Sequence, residues 1–193
     1  MNFTRDCLIK SGRCSPYYID THTLHTLDTH TYIHNRPKLN KYAQKSIERK
    51  NDANKFSESE ALSIYIITEK LNCRMKIIYE TDIYGFYGKP DFIIKLGKLL
   101  YIMVSTTQAI NIKNEFDQRD ADRLIKKKIL GLSICYKNLE CLINDDIDIS
   151  KVVVRPVLHI LSPCESHSQM CVAACEKIQI DPEIKIIISN LFC

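Results

Sequence analysis

Residues 90–105 read PDFIIKLGKLLYIMVS, and this stretch decides the fold. It contains two short runs of Ile, Leu, Val and aromatic residues on either side of the turn dipeptide Gly97-Lys98. Runs of this length around a glycine-containing turn predict a β-hairpin, with strands over 90–96 and 99–105. Residues 75–81 have the same composition and predict a further strand, which a turn over 84–89 connects to the hairpin.

Segments with helical periodicity lie before and after these three strands. Ser57 and Glu60 form a capping box, and apolar residues at helical spacing extend the predicted helix over 57–72. Asp117 can cap a second helix that reaches about residue 138. Its predicted packing face consists of Ala121, Leu124, Ile125, Lys128, Ile129, Leu132 and Cys135. A strand over 151–161, a helix over 164–178 and a strand over 184–189 follow, which gives an α/β order of α-β-β-β-α-β-α-β.

Length and charge divide the chain into an arm and one domain. At 193 residues the chain can bury one substantial core, so we expect a single α/β domain over 56–193 and an arm over 1–55. The arm carries ten basic and five acidic residues, a net of +5, which leaves −1 for the domain in a chain of net charge +4. A net charge of only +4 for the whole chain excludes a histone-like tail, and the excess of positive charge lies in the arm.

Composition excludes several further classes of protein. Nine Cys are too few for a disulfide scaffold, and an odd number, with charged residues among the first ten, predicts a reducing, cytoplasmic setting. Short apolar runs predict no membrane span. Cys164, Cys171 and Cys175 are better explained as small buried thiols than as metal ligands. No pattern indicates a small-molecule substrate.

Basic residues cluster between residues 36 and 55, where only Glu48 and Asp52 oppose them. After Pro37, helical spacing aligns part of this cluster on one face beside Tyr42. Such a stripe can follow a phosphate backbone, and tyrosine can stack on an unpaired base, although a solvated helix face is the alternative. The predicted RNA-binding residues are Arg36, Lys38, Lys41, Tyr42, Lys45, Arg49 and Lys50, with Arg123, Lys126 and Lys127 of the second helix as another basic surface.

Four of the six histidines lie within residues 21–34, where Thr-His-Thr occurs twice. His22, His25, His30 and His34, with Cys7 and Cys14 upstream, are candidate zinc ligands, but their spacing fits no standard zinc finger. The favoured alternative is a polar, extended, His-rich arm whose imidazoles hydrogen-bond or stack on bases. The expectation is therefore no cofactor, with zinc as the alternative.

The element order over residues 57–161, with Gly88-Lys89-Pro90-Asp91 entering one strand, resembles the αβββαβ core of the restriction-endonuclease-like PD-(D/E)xK nucleases. The remaining helix and strand form an extra αβ unit. In that family a helical Glu, the Asp after Pro and an acid-x-Lys pair hold Mg²⁺ and activate water. The resemblance implies Glu60 and Asp91 for the first two positions.

The acid and lysine positions of that motif fall on Met103 and Ser105 here. A thioether does not replace a carboxylate on a hard cation, and a hydroxyl supplies no positive charge. An active nuclease would need a relocated lysine, for which Lys95, Lys98 and Lys127 are candidates, and a carboxylate lent by Glu80 or Asp82. Otherwise Asp91 is a solvated carboxylate at a strand edge and Glu60 only the capping-box acid.

A second resemblance rests on four stretches: 89–91, 104–109, 120–132 and 157–161. They resemble a eukaryotic family that includes microsporidian ribosome dormancy, or hibernation, factors. This implies a non-catalytic, RNA-binding protein that contacts rRNA and blocks the tRNA exit site, or E-site, of inactive ribosomes, which inhibits translation. A metal-dependent nuclease is the alternative from the enzyme class, and a protein-interaction module with an incidental basic arm is a third possibility.

Overall fold

The computed structural model describes residues 17–20, 39–49, 58–71, 73–83, 89–111, 114–137, 152–181 and 183–191. Its helices are α1 (Lys41–Glu48), α2 (Glu58–Leu71), α3 (Gln118–Lys137) and α4 (Glu165–Lys177). Its strands are β1 (Tyr17–Asp20), β2 (Lys76–Tyr79), β3 (Phe92–Leu96), β4 (Leu100–Gln108), β5 (Val153–Ser162) and β6 (Lys185–Asn190), and a short 3₁₀ turn (Glu80–Asp82) follows β2. The α/β class is confirmed, and from α2 to β6 the elements follow the predicted order.

The strands of the described residues form one mixed, six-stranded sheet in the order β1-β6-β5-β4-β3-β2. The strands β3 and β4 pair antiparallel, as the hairpin pattern predicts, and β2 pairs antiparallel with β3. The turn between β3 and β4 places Gly97 at φ 66°, a left-handed conformation that glycine adopts without steric cost. The strands β4, β5 and β6 pair in parallel, because α3 and α4 serve as crossover connections between them.

Each face of the sheet is covered by helices. Alternation along β4 separates Ile102 and Val104, which pack with α1 and α2, from Tyr101 and Met103, which pack with α3 and α4. The sheet is therefore the middle of three layers, with α1 and α2 on one face and α3 and α4 on the other.

The last part of the predicted arm packs against the domain. In and just before α1, the apolar residues Leu39, Ala43 and Ile47 are buried in the same core as α2. Asn40 caps α1 by accepting the Ala43 N–H at 3.1 Å, and its amide donates to Thr68 of α2 at 2.8 Å. This packing could not be predicted from the sequence, because apolar residues spaced four apart within a basic stripe do not identify the surface that they contact.

A strand within the predicted arm is a second difference from the expectation. The backbone of β1 pairs in parallel with β6, with Tyr17 opposite Ile186. Its neighbours in sequence are polar, and its pairing partner lies about 170 residues away, so local periodicity gives no indication of it. No helix among the described residues has the length and apolar character required to cross a bilayer.

Candidate nucleic-acid interface and carboxylate site

Asp91 is held by the strand next to it. The antiparallel pairing of Phe92 with Val104 brings Asp91 beside Ser105 and Thr106 at the far end of the hairpin from its turn. Its Oδ2 accepts a hydrogen bond of 2.6 Å from the Thr106 backbone N–H and one of 3.1 Å from the Ser105 hydroxyl. These two hydrogen bonds fix the orientation of the Asp91 carboxylate.

A lysine of α3 also contacts this carboxylate. Lys128 Nζ lies 3.6 Å from Asp91 Oδ2 and 3.4 Å from the Ser105 hydroxyl oxygen. We call Asp91, Ser105, Thr106 and Lys128 the Asp91 cluster. The lysine beside Asp91 is therefore Lys128.

The helical pattern places Lys128 on the packing face of α3 and not among the candidates for a relocated lysine. Lys128 follows the buried Ile125 by three residues and precedes the buried Leu132 by four, and this helical spacing distinguishes it from Lys126 and Lys127. Of the three lysines proposed for that role, Lys98 and Lys127 are exposed to solvent. The ammonium of Lys95 lies over the Tyr101 ring, 5.2 Å from its centroid.

Glu60 is buried beneath α1. Its side chain accepts a hydrogen bond of 3.1 Å from Ser46 of α1, and only 6% of the residue is exposed. Burial raises the pKa of Glu60 to about 8; the Ser46 hydrogen bond lowers it, whereas the nearby charges of Asp91 and Glu80 raise it. Glu60 is therefore mostly protonated at neutral pH, a form that is a poor ligand for a hard cation.

Glu80 and Asp82, the acids proposed to lend a carboxylate, do not form a metal site with Glu60 and Asp91 in the described part of the chain. Asp82 is ion-paired with Arg49, and Glu80 affects Glu60 through its charge. The side chain of Met103 is fully buried among residues of α3 and α4, so the acid position of the nuclease motif belongs to the apolar core. Within the described ranges, no three His, Cys, Asp or Glu side chains are grouped so that they could hold a metal ion.

His159 links three elements in the interior. Its Nδ1 lies 2.6 Å from the hydroxyl of Ser63 on α2, and its Nε2 lies 2.9 Å from the hydroxyl of Ser189 on β6. The residue is completely buried, and burial lowers its pKa to about 3. His159 is therefore a neutral structural bridge, and this arrangement leaves it no access to a substrate.

The cations of α1 have different environments. Lys41 and Lys45 are exposed, while Arg49 is ion-paired with Asp82 and lies over the ring of Tyr79, 4.6 Å from its centroid. Tyr42 packs against the core, and its hydroxyl donates to the Met75 carbonyl at 3.2 Å. The ammonium of Lys41 lies 5.1 Å from the centre of that ring, so this cation would have to move before a base could stack on the covered face.

Two exposed cations that sequence analysis missed lie beside a residue that contacts α1. Arg74 and Lys76 flank Met75, the residue whose carbonyl binds the Tyr42 hydroxyl. Lys76 is opposite Lys95, which is opposite Tyr101, so its side chain points to the sheet face that α3 covers. We therefore call Lys41, Lys45 and Arg74 the α1 basic surface. Proximity between the turn after α2 and the outside of α1 is a tertiary contact, which the spacing of charges along the sequence does not predict.

The outer side of α3 is basic as well. Side chains of Arg119 and Arg123 are 92% and 77% exposed, and they pair with Asp117 and Asp120 one turn or less away. Lys126 and Lys127 are exposed as well, and they form no ion pair within the described part of the chain. We call Arg119, Arg123, Lys126 and Lys127 the α3 basic surface.

The structure does not bring all the predicted site residues together. The α1 and α3 basic surfaces lie over opposite faces of the sheet, since α1 packs with one core and α3 with the other. Arg36, Lys38, Lys50 and the four candidate zinc ligands His22, His25, His30 and His34 lie outside the described residues. The structure therefore describes only part of the predicted stripe of cations, and zinc binding by these histidines stays a prediction.

Comparison with known proteins gives no relative for this chain. No family model, curated protein or solved structure matches it.

Proposed function

We propose that this chain is a non-enzymatic RNA-binding protein that docks on inactive ribosomes and blocks the tRNA exit site. The observation that carries the proposal is the α3 basic surface, where four cations are exposed in about two helical turns. Arginine and lysine at this density neutralise phosphates. The release of counterions from the RNA then favours binding without sequence specificity.

The state of the two motif acids supports binding rather than cleavage. Glu60 is buried and largely neutral, and Asp91 is bonded to a lysine, a hydroxyl and a backbone N–H. A divalent ion would have to displace Lys128 and be bound without an acid at the Met103 position. Hydrolysis of a phosphodiester by the chemistry of PD-(D/E)xK nucleases needs all the acidic metal ligands to be available together.

The arrangement of cations supports a tRNA site as the place of binding. A protein with basic surfaces over both faces of its sheet suits a cleft walled by RNA better than one flat RNA surface. Ribosomal tRNA sites are such clefts, and they offer phosphates and unstacked bases to a protein of this size.

Sedimentation with purified idle ribosomes tests the binding. We expect co-sedimentation at low salt and release at high salt, with a log-log slope of about −3.5 to −4.5 if about five phosphates are neutralised. Replacing Lys126 and Lys127 with Gln should reduce that slope by about 2, because each phosphate contact contributes about 1. Lys98→Gln, an exposed control in the β3–β4 turn, should leave the slope unchanged; a flat salt response of the wild type would contradict RNA binding.

Competition with deacylated tRNA tests the location. If the protein occupies the exit site, saturating protein should prevent labelled deacylated tRNA from binding there, and excess tRNA should release the protein. Simultaneous binding of both at saturation would place the protein elsewhere on the ribosome.

A divalent-metal-dependent nuclease is the second candidate, and the position of the Lys128 ammonium, 3.4 Å from the hydroxyl of Ser105, favours it. That contact supplies the ammonium that position 105 lacks. Incubation of plasmid DNA and of RNA with purified protein and Mg²⁺ or Mn²⁺ tests it, with Asp91→Asn as the inactive comparison. Under the leading proposal neither substrate is cut; cleavage lost in both Asp91→Asn and Lys128→Met would establish the nuclease instead.

A further inference from the structure

The positions of the two basic surfaces restrict how one RNA can contact both. The buried residues of α1 belong to the same core as Ile94, Ile102 and Val104, whereas those of α3 belong to the same core as Ile93 and Met103. These side chains alternate along β3 and β4, so the two helices are separated by the whole thickness of the sheet. With about 10 Å for each packed layer, the helix axes lie roughly 20 Å apart, and the outward cations are further apart still.

Each surface is built to hold phosphate by itself. The α3 basic surface presents two arginines that retain spare donors beside their ion pairs, together with Lys126 and Lys127. The α1 basic surface presents Lys41 and Lys45 from the helix, with Arg74 next to Met75, whose carbonyl accepts the Tyr42 hydroxyl. Both surfaces have acidic neighbours: Asp117 and Asp120 pair with the arginines of the α3 surface, and Glu48 lies at the end of α1.

A rigid core joins the surfaces. Leu39, Ala43 and Ile47 fix α1 to one side of the sheet, and Ala121, Ile125, Ile129 and Leu132 fix α3 to the other, all of them buried. The two surfaces therefore cannot turn toward a common partner. A single short strand would have to pass around a sheet edge to reach both, whereas two separate strands reach them directly.

We propose that the α1 and α3 basic surfaces bind two separate RNA segments at the same time, so that one protein molecule bridges them. This inference rests on the proposed RNA-binding function and adds to it a stoichiometry and a geometry. In a ribosomal cleft, the two segments would be the opposing RNA walls.

A bridging assay with two oligonucleotides tests the inference. Biotinylated 20-nucleotide oligo(U) is immobilised, the full-length protein is added, and a second, fluorescent 20-nucleotide oligo(U) is supplied at low salt. We expect the wild-type protein to retain the fluorescent RNA on the support, and sedimentation of the solution complex to give two RNAs per protein monomer.

Variants of each surface separate bridging from binding. Lys41→Glu/Lys45→Glu and Lys126→Glu/Lys127→Glu should each bind one RNA per monomer and lose retention of the second RNA by at least tenfold. Lys98→Glu, a charge reversal in the β3–β4 turn outside both surfaces, should retain bridging. The corresponding Gln variants replace any Glu variant whose circular dichroism shows loss of folding.

The possible failures are distinguishable. If the wild type binds no RNA, the proposed function fails. If it binds one RNA per monomer, or if single-surface variants still bridge because the protein has dimerised, bridging by one molecule is overturned while RNA binding stands.

Discussion

Glu60 and Asp91, the two acids of the nuclease-like motif, lie in different environments. Glu60 comes from a helix on one face of the sheet; it is buried, and its pKa is raised to about 8. Asp91 is bonded to Ser105 and Lys128, which approach from the face that α3 covers, and its side chain is 26% exposed. Two carboxylates that must share a cation need the same protonation state and a common opening, and here one is neutral beneath α1 while the other is neutralised by a lysine.

This difference shows that an order of elements does not by itself assemble a shared metal site. The scaffold places both acids close enough for Asp91 to raise the pKa of Glu60, but the side chains around them serve packing. Charges free to contact a partner lie instead on the outer sides of α1 and α3. Function in this chain is therefore better sought on its surface than between its helices and sheet.

The largest expected effect is on stability, from Glu60→Gln. The folded protein keeps the Glu60 proton up to about pH 8, whereas the unfolded chain releases it near pH 4.5, so rising pH lowers wild-type stability across this window. The glutamine of the variant keeps an acceptor for Ser46 without the titrating proton. We expect the Glu60→Gln variant to match the wild type below pH 4.5 and to exceed it by roughly 3 kcal/mol at pH 7 in urea unfolding.

His159 gives the same experiment an internal control. Its pKa of about 3 in the folded state and 6.5 in the unfolded state makes stability rise with pH over that range, the opposite direction to Glu60. The two effects should cancel between pH 4.5 and 6.5, which gives the wild type a plateau followed by a decline. In the Glu60→Gln variant stability should rise to about pH 6.5 and then stay level, and parallel profiles for the two proteins would contradict the burial of a neutral Glu60.

Much of the fold could be predicted because its elements are locally consistent. The hairpin around Gly97, the capping box before α2 and the apolar face of α3 each depend on residues close in sequence, and the corresponding elements occur within a few residues of the expected bounds. The pairing of β1 with β6 and the packing of α1 on α2 depend on distant partners, so periodicity does not determine them.

The candidate site shows the same limit. Asp91 and the exposed cations of α3 could be identified from their own sequence context. The role of Lys128 could not, because its contact with Asp91 depends on how α3 crosses the sheet. In the same way, the pairing of Arg49 with Asp82 removes a cation from the predicted stripe through a contact between residues 33 positions apart.

The smallest expected effect is on stability, from Lys128→Met, which removes the lysine but keeps most of its apolar volume. Asp91 keeps its hydrogen bonds from Ser105 and Thr106, and both Asp91 and Lys128 are about one quarter exposed. Solvent screening therefore limits the loss to about 1 kcal/mol in the free energy of unfolding at neutral pH. The loss should disappear in Asp91→Asn/Lys128→Met relative to Asp91→Asn, because the paired charge is then absent.

Lys127→Met is the matched control for that experiment, since Lys127 is the exposed neighbour on the same helix. It should leave the free energy of unfolding unchanged within about 0.5 kcal/mol and weaken RNA binding, whereas Lys128→Met should lower stability and leave RNA binding unchanged. Such a reciprocal pattern separates the inward lysine from the outward one on a single turn of α3. If both variants weakened RNA binding equally, Lys128 would be part of the RNA-binding surface. The division between the Asp91 cluster and the α3 basic surface would then be wrong.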